Sequence, residues 1–194
     1  MLIEDLLGSN TFLTVSEKHT IKTNCSQFIA ESANTPLFKT LPTTYHNFQR
    51  VKARLQRRQN ELTDVYTKAF NHNNIRQRAI FAYASKPSVS DSLDLFYIFP
   101  TNGYKFLYCT EVANSSSDYQ LVLDTLFEQF NDTVKVTEIV TDLLKYTYLT
   151  DNLYDGIVAQ AEIILYNIPH YYAVRANVGI DYVDMISQIT KINH

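Results

Sequence analysis

The sequence predicts an α+β protein, because strand-like runs group together instead of alternating regularly with helices. The chain begins with a mainly helical pattern over 2–33 and ends with another over 180–189. A regular alternation of strands and helices would favour a parallel winding, whereas this order favours an α+β arrangement. The strand-like runs occupy 36–55, 78–109 and 157–174.

The chain is expected to form a single domain over 1–194. Its 194 residues contain no internal repeat, no low-complexity tract and no Pro/Gly-rich linker. This length is typical of one domain with an added layer of helices. We divide it into an N-terminal helical region, 1–33, and an α+β core, 34–194.

The first strands and the helix between them follow from periodicity. In FQRVKARL (48–55) basic residues alternate with apolar ones, which is the period of a half-buried strand. ELTDVYTKAF (61–70) places its apolar residues on one stripe of a helix. The runs PLFKTL (36–41) and RAIFAYA (78–84) are shorter strand candidates.

The later part of the chain contains two predicted hairpins and two further helices. In LFYIFPTNGYKFLYC (95–109) Asn102-Gly103 is a tight-turn signal between two apolar runs. In VAQAEIILYNIPHYYAV (158–174) two β-like runs are separated by three residues, which predicts a second hairpin. Apolar stripes over 119–130 and 136–144 predict two amphipathic helices.

Composition narrows the possible classes of protein. The chain has 14 Tyr and 11 Phe but no Trp, and many of these rings are expected on half-buried sheet faces. The four glycines are isolated and no HExxH or paired Cys/His spacing occurs, so neither a Gly-rich phosphate loop nor a metal site is predicted. No apolar run approaches the length of a membrane span. The N-terminus MLIEDLLGSN lacks the basic region of a signal peptide, so we expect a soluble protein that is not secreted through one.

Charge is distributed unevenly along the chain, although the net charge is only −3. Residues 50–78 contain eight Lys or Arg and two acids, whereas 111–162 contain ten acids and two Lys. This asymmetry indicates one positive and one negative face, which suits a phosphate-bearing ligand or an assembly contact. The negative net charge and the acidic later half argue against a nucleic-acid-binding module.

The basic strand candidate offers a first possible site. Arg50, Lys52 and Arg54 would point to one side of a strand, where a row of cations could hold a pyrophosphate. The alternative is a solvated basic edge strand, which protects a sheet from pairing with other chains.

A carboxylate at the start of the last predicted hairpin offers a second possible site. Gln160 and Glu162 are two residues apart and would share one face of a strand, just before Ile163 and Leu165. Glu162 could be held near a ligand with Gln160 beside it, or both could face water at the end of the strand.

Taken in order, these pieces resemble the ADP-ribosyltransferase fold, and more narrowly the ADP-ribosyltransferase-like proteins encoded by large tailed phages. The resemblance covers about 33–175 and rests on PLFKTL, a basic segment, RAIFAYAS, the aromatic run and the final Q-x-E. It implies a split mixed or antiparallel sheet and NAD as substrate. Of its three motifs the last matches well, Lys39 stands where the family usually has Arg, and only Ser85 supplies a hydroxyl in the middle motif.

The resemblance implies roles for individual residues. Glu162 would be the catalytic carboxylate that stabilises the oxocarbenium-like transition state as nicotinamide leaves, and Gln160 would position the acceptor. Lys39, helped by Arg50 or Arg54, would hold the pyrophosphate, and Ser85 would lie beneath the ribose. The activity implied is transfer of ADP-ribose from NAD to a protein, in the host cytoplasm or the virion. The alternative is a catalytically inactive structural or virion assembly protein with the same fold.

Overall fold

The computed structural model describes residues 12–53, 61–71, 75, 79–111, 115–130, 132–176 and 181–192, and it forms an α+β fold. Seven strands form one antiparallel sheet, and helices cover it. The strands are β1 (Phe38–Pro42), β2 (Phe48–Lys52), β3 (Ile80–Tyr83), β4 (Leu93–Pro100), β5 (Lys105–Cys109), β6 (Glu162–Tyr166) and β7 (His170–Arg175). The helices are α1 (Val15–Asn24), α2 (Ser26–Glu31), α3 (Glu61–Phe70), α4 (Ser115–Gln129), α5 (Thr133–Thr147), α6 (Leu153–Val158) and α7 (Tyr182–Thr190).

The order of strands across the sheet is β2-β7-β4-β1-β3-β6-β5. Both predicted hairpins are therefore wrong, because β4 does not pair with β5 and β6 does not pair with β7. The predicted turn at Asn102-Gly103 is present, and Gly103 has a φ of 87°. After the turn the chain does not pair with β4; it forms β5 at the edge of the sheet, beside β6.

The short connections β4–β5 and β6–β7 require the sheet to bend. In a flat sheet β6 and β7 would lie four strand spacings apart, roughly 19 Å. The three residues Asn167–Pro169 that connect these strands span at most about 14 Å. The sheet therefore bends between β1 and β3, where Phe38 and Tyr83 form the one pair that joins the strands. One layer is β2-β7-β4-β1 and the other is β3-β6-β5.

The bend gives each of the two layers an inner face, which packs on the other layer, and an outer face, which packs on helices. The inner faces of the two layers share one core, which includes Phe96 and Ile98 from β4 with Ala82, Ile163 and Leu165 from the other layer. The outer face of β3-β6-β5 packs against α3, α4 and α5 in a second core. On the outer face of the other layer, Tyr182 of α7 contacts the rings of Tyr97 and Phe99.

Most predicted helices are confirmed. The helix α3 spans the predicted 61–70, α4 and α5 cover the two apolar stripes, and α7 covers the last pattern. The N-terminal helical region contains α1 and α2, and the prediction for 1–11 lies outside the described residues. Within the described part of the chain, no helix is long and apolar enough to cross a membrane.

Asn102, in the connection between β4 and β5, forms hydrogen bonds with the N-terminal helices. Its side-chain oxygen accepts a hydrogen bond from the backbone N–H of Gln27 at 3.0 Å, and its Nδ2 donates to the carbonyl of Thr23 at 3.1 Å. Asn102→Ala is expected to lower the free energy of unfolding by about 1–2 kcal/mol, because these polar backbone groups lose their partner. Urea denaturation measures the change. Asn102→Asp, which keeps the acceptor and loses the donor, should cost less, and equal stability of all three proteins would contradict this role.

Candidate functional site

Glu162 is the first residue of β6 and is buried, with only 5% of its surface exposed. The alternative that it faces water at the end of a strand is therefore wrong. It pairs with Tyr83 on β3 and with Cys109 on β5, so these three side chains project to the same side of the sheet. A buried carboxylate is costly unless other groups compensate its charge, so its surroundings decide what it does.

Tyr83 is one compensating group, since its hydroxyl is hydrogen-bonded to Glu162. Burial raises the pKa of Tyr83 above its ordinary value, and the charge and hydrogen bond of Glu162 raise it further. The phenol therefore stays protonated at neutral pH and donates to the carboxylate.

Lys39, on β1 of the other layer, lies within electrostatic range of Glu162 without forming an ion pair with it. Its Nζ donates a hydrogen bond to the carbonyl oxygen of Phe81 at 2.8 Å, across the gap that opens between β1 and β3. Burial lowers the pKa of Lys39, and the negative charge of Glu162 partly offsets this effect. An ammonium group has three donors, so the bond to Phe81 leaves two for another acceptor.

A groove of about 310 Å³ opens at the bend, beside Lys39. Its wall combines this ammonium group and Lys52 with apolar and aromatic side chains. It includes Leu41, Tyr45, Val51, Phe81 and Tyr171. This volume is at the small end for ligand sites. Glu162 does not belong to the described wall of the groove, so Lys39 is the residue that connects the groove with the carboxylate.

Gln160 does not share a strand face with Glu162, contrary to the prediction. The segment before β6 is the helix α6, and its backbone continues into a turn in which Gln160 has a φ of 56°. The N–H of Gln160 donates to the carbonyl of Ile157 at 3.0 Å, and the residue is exposed. The two-residue spacing predicts a shared strand face, but Gln160 is in the left-handed conformation of a helix end.

The structure separates Arg50 from Lys39. Arg50 lies opposite Tyr172, which lies opposite Phe99, whereas Lys39 lies opposite Phe96. Phe96 and Phe99 are three residues apart on one strand, so Lys39 and Arg50 are on opposite faces of the sheet. Arg50 is exposed there and its Nη2 is 3.3 Å from Nδ1 of His170. Burial and the charge of Arg50 lower the pKa of His170.

Of the two remaining predicted site residues, the structure describes only one. Ser85 is exposed in a bend two residues after the end of β3. Arg54 lies outside the described residues. From the predicted set, Lys39 and Glu162 lie within electrostatic range of each other but form no ion pair. The strand pairing places their side chains on opposite faces, because Phe38 pairs with Tyr83, which pairs with Glu162, and Lys39 follows Phe38.

Tyr83 is the residue that sequence reasoning missed. It lies two positions before Ser85 in the motif RAIFAYAS, and its phenolic hydroxyl reaches the carboxylate. Its position at the end of a strand was visible in the sequence. The register that pairs it with Glu162 was not, because it depends on which strands become neighbours.

No protein-family model matches the chain, and neither the search of curated proteins nor that of solved structures gives a significant match.

Proposed function

We propose that the protein is an ADP-ribosyltransferase-like protein of phage type, which transfers ADP-ribose from NAD to another protein. The observation that carries the proposal is the buried carboxylate of Glu162, held by Tyr83 and lying within electrostatic range of Lys39 at the bend of the sheet. The order of motifs along the chain supports it, as does the groove beside Lys39.

The residues of the cluster have complementary roles in this proposal. Lys39 has two donors that bond to no described residue, and they suit an anionic diphosphate. Glu162 supplies negative charge where positive charge develops during cleavage of a glycosidic bond, and preorganised charge of this kind is a major source of rate enhancement. Tyr83 fixes the orientation of the carboxylate. Gln160, exposed at the turn before β6, remains the proposed contact to the acceptor protein, and the proposed location is the host cytoplasm or the virion.

A second candidate is a catalytically inactive structural or virion assembly protein. Three observations favour it: Lys39 already donates to the carbonyl of Phe81, Glu162 already accepts from Tyr83, and Gln160 does not lie on the strand of Glu162. In this case the cluster only joins the two layers where backbone pairing stops.

Binding and transfer experiments separate the two candidates. The purified protein is titrated with NAD, and labelled NAD is then incubated with the protein and a lysate of host cells. A transferase is expected to bind NAD saturably and to label one or more proteins. Lys39→Met should raise the dissociation constant at least about tenfold, since a charge-assisted hydrogen bond is lost.

Lys105→Met is the matched control, because Lys105 is exposed on β5 and does not line the groove. Equal NAD affinity of the two variants would contradict the role of Lys39. If the wild-type protein shows no NAD binding, no transfer and no hydrolysis of NAD, the inactive candidate replaces the transferase.

A further inference from the structure

Among the described residues, one edge of the sheet has no strand beside it, and it carries exposed cations. The sheet ends at β2 on one side and at β5 on the other. The β5 edge is partly covered, because Tyr108 and Leu149 exchange two backbone hydrogen bonds of 2.8 and 3.1 Å. The β2 edge has no such bridge to any described residue.

The backbone of β2 defines which groups face outward. Asn47 accepts from the N–H of Arg175 at 2.8 Å, and the N–H of Ala53 donates to Pro169 at 2.9 Å. In an antiparallel pair these directions alternate, so residues 47, 49, 51 and 53 bond to β7. The N–H and C=O groups of Phe48, Arg50 and Lys52 therefore point away from the sheet. One of these carbonyls, that of Arg50, accepts a 3.3 Å bond from the side chain of Gln49.

By strand alternation the same three residues share one face of the sheet, and Lys52, at the end of β2, also lines the groove beside Lys39. Arg50 and Lys52 are exposed, and neither belongs to an ion pair with a described residue. Phe48 is half-buried and stacks on Tyr172 with ring centres 5.5 Å apart. A strand added at this edge would find two cations and one aromatic ring, each two residues from the next.

We propose that the free edge of β2 binds an extended acidic segment of a partner protein, which adds to the sheet as a further strand. Main-chain hydrogen bonds give such contacts their affinity, and alternate side chains give their specificity. In the antiparallel orientation the segment places acids opposite Lys52 and Arg50 and an apolar residue opposite Phe48. The inference goes beyond the proposed transferase activity and does not require NAD.

Other occupants fit this edge less well. In a second copy of the same chain, an antiparallel β2–β2 contact would bring like charges together, which is the usual protection of an edge strand against self-pairing. A nucleic-acid backbone would pair with the cations but offers no pattern of donors for the outward carbonyls of Phe48 and Lys52. The net charge of −3 also disfavours it.

The first test measures the anisotropy of a labelled nine-residue peptide with the pattern Glu-x-Glu-x-Phe at its centre, titrated with the full chain. Saturable binding is expected. Joint Arg50→Glu and Lys52→Glu should weaken it at least about tenfold. A peptide with Lys in place of Glu should bind this variant and not the wild type. The matched control is joint Lys68→Glu and Lys105→Glu, which makes the same charge change at exposed sites elsewhere and should leave binding unchanged.

The second test distinguishes strand addition from charge attraction without changing the protein. N-methylation of the peptide at the Glu and Phe residues removes the donors that would face β2, whereas methylation of the intervening residues removes donors on the far side. Only the first set should abolish binding. The proposal is overturned if both sets act equally, if no peptide saturates by millimolar concentration, or if a single-stranded oligonucleotide binds more tightly and displaces the peptide.

Discussion

Glu162→Gln is expected to lower the rate of ADP-ribose transfer by at least about 100-fold while leaving the fold intact. The amide has nearly the shape of the carboxylate, and its oxygen still accepts the hydrogen bond from Tyr83. What disappears is a buried negative charge, and loss of one preorganised electrostatic contact in an active site commonly costs this factor or more. The measurement is initial transfer of label from NAD to the acceptor, at saturating NAD.

The expected pattern is specific to a charge that acts on the reaction. NAD affinity should change little with Glu162→Gln, because the carboxylate is proposed to act when positive charge develops. Glu138→Gln, on the exposed side of α5, removes an acid elsewhere and should leave the rate unchanged. Equal rates of wild type and Glu162→Gln, with unchanged thermal stability, would remove Glu162 from the chemistry and favour the inactive candidate.

Gly156→Ala is expected to lower the free energy of unfolding by about 1–3 kcal/mol. A methyl group at Gly156 would lie 2.6 Å from Cγ of Tyr108 and 2.9 Å from Cδ1 and Cδ2 of the same ring. Carbon atoms in contact prefer about 3.5–4.0 Å, so the ring or the helix α6 must move. The ring has little freedom, because it is 2% exposed and lies parallel to that of Phe106 within 18°.

Helix propensity and the clash with Tyr108 act in opposite directions at Gly156. Alanine is favoured over glycine in a helix by up to about 1 kcal/mol, so a stable variant would show that helix propensity exceeds the clash. Urea unfolding of Gly156→Ala, Tyr108→Ala and the double variant measures the coupling. We expect Gly156→Ala to cost much less once the ring of Tyr108 is absent. Gly103→Ala is the control for backbone strain alone, since its φ is 87° and nothing lies near its added methyl group.

The site shows where prediction from sequence reached its limit. Glu162 and Lys39 were singled out by the order of motifs, and the structure brings them within electrostatic range. Tyr83 does not follow from the motif, in which Ser85 supplies the hydroxyl. The pairing of Tyr83 with Glu162 depends on which strands become neighbours, which is a long-range property. Arg50 was grouped with Lys39 by charge, but the parity of the strands places it on the opposite face.

The local elements of this protein can be predicted from its sequence. The helices α3 and α5 follow from apolar residues spaced at the helical period, and the turn at Gly103 follows from a residue that accepts positive φ without penalty. These properties depend on neighbours a few residues away, so a local pattern is enough to predict them.

Which strands are neighbours depends on long-range packing and cannot be predicted from local patterns. The turn at Asn102-Gly103 is compatible with a hairpin, yet β4 pairs with β1 and β7 while β5 pairs with β6. Each layer buries apolar residues on both faces, and packing of the two layers against each other outweighs the local preference for hairpins. The burial of Glu162, its contact with Tyr83 and the open edge at β2 all follow from that choice of neighbours, because side-chain faces and edges exist only once the strands are arranged.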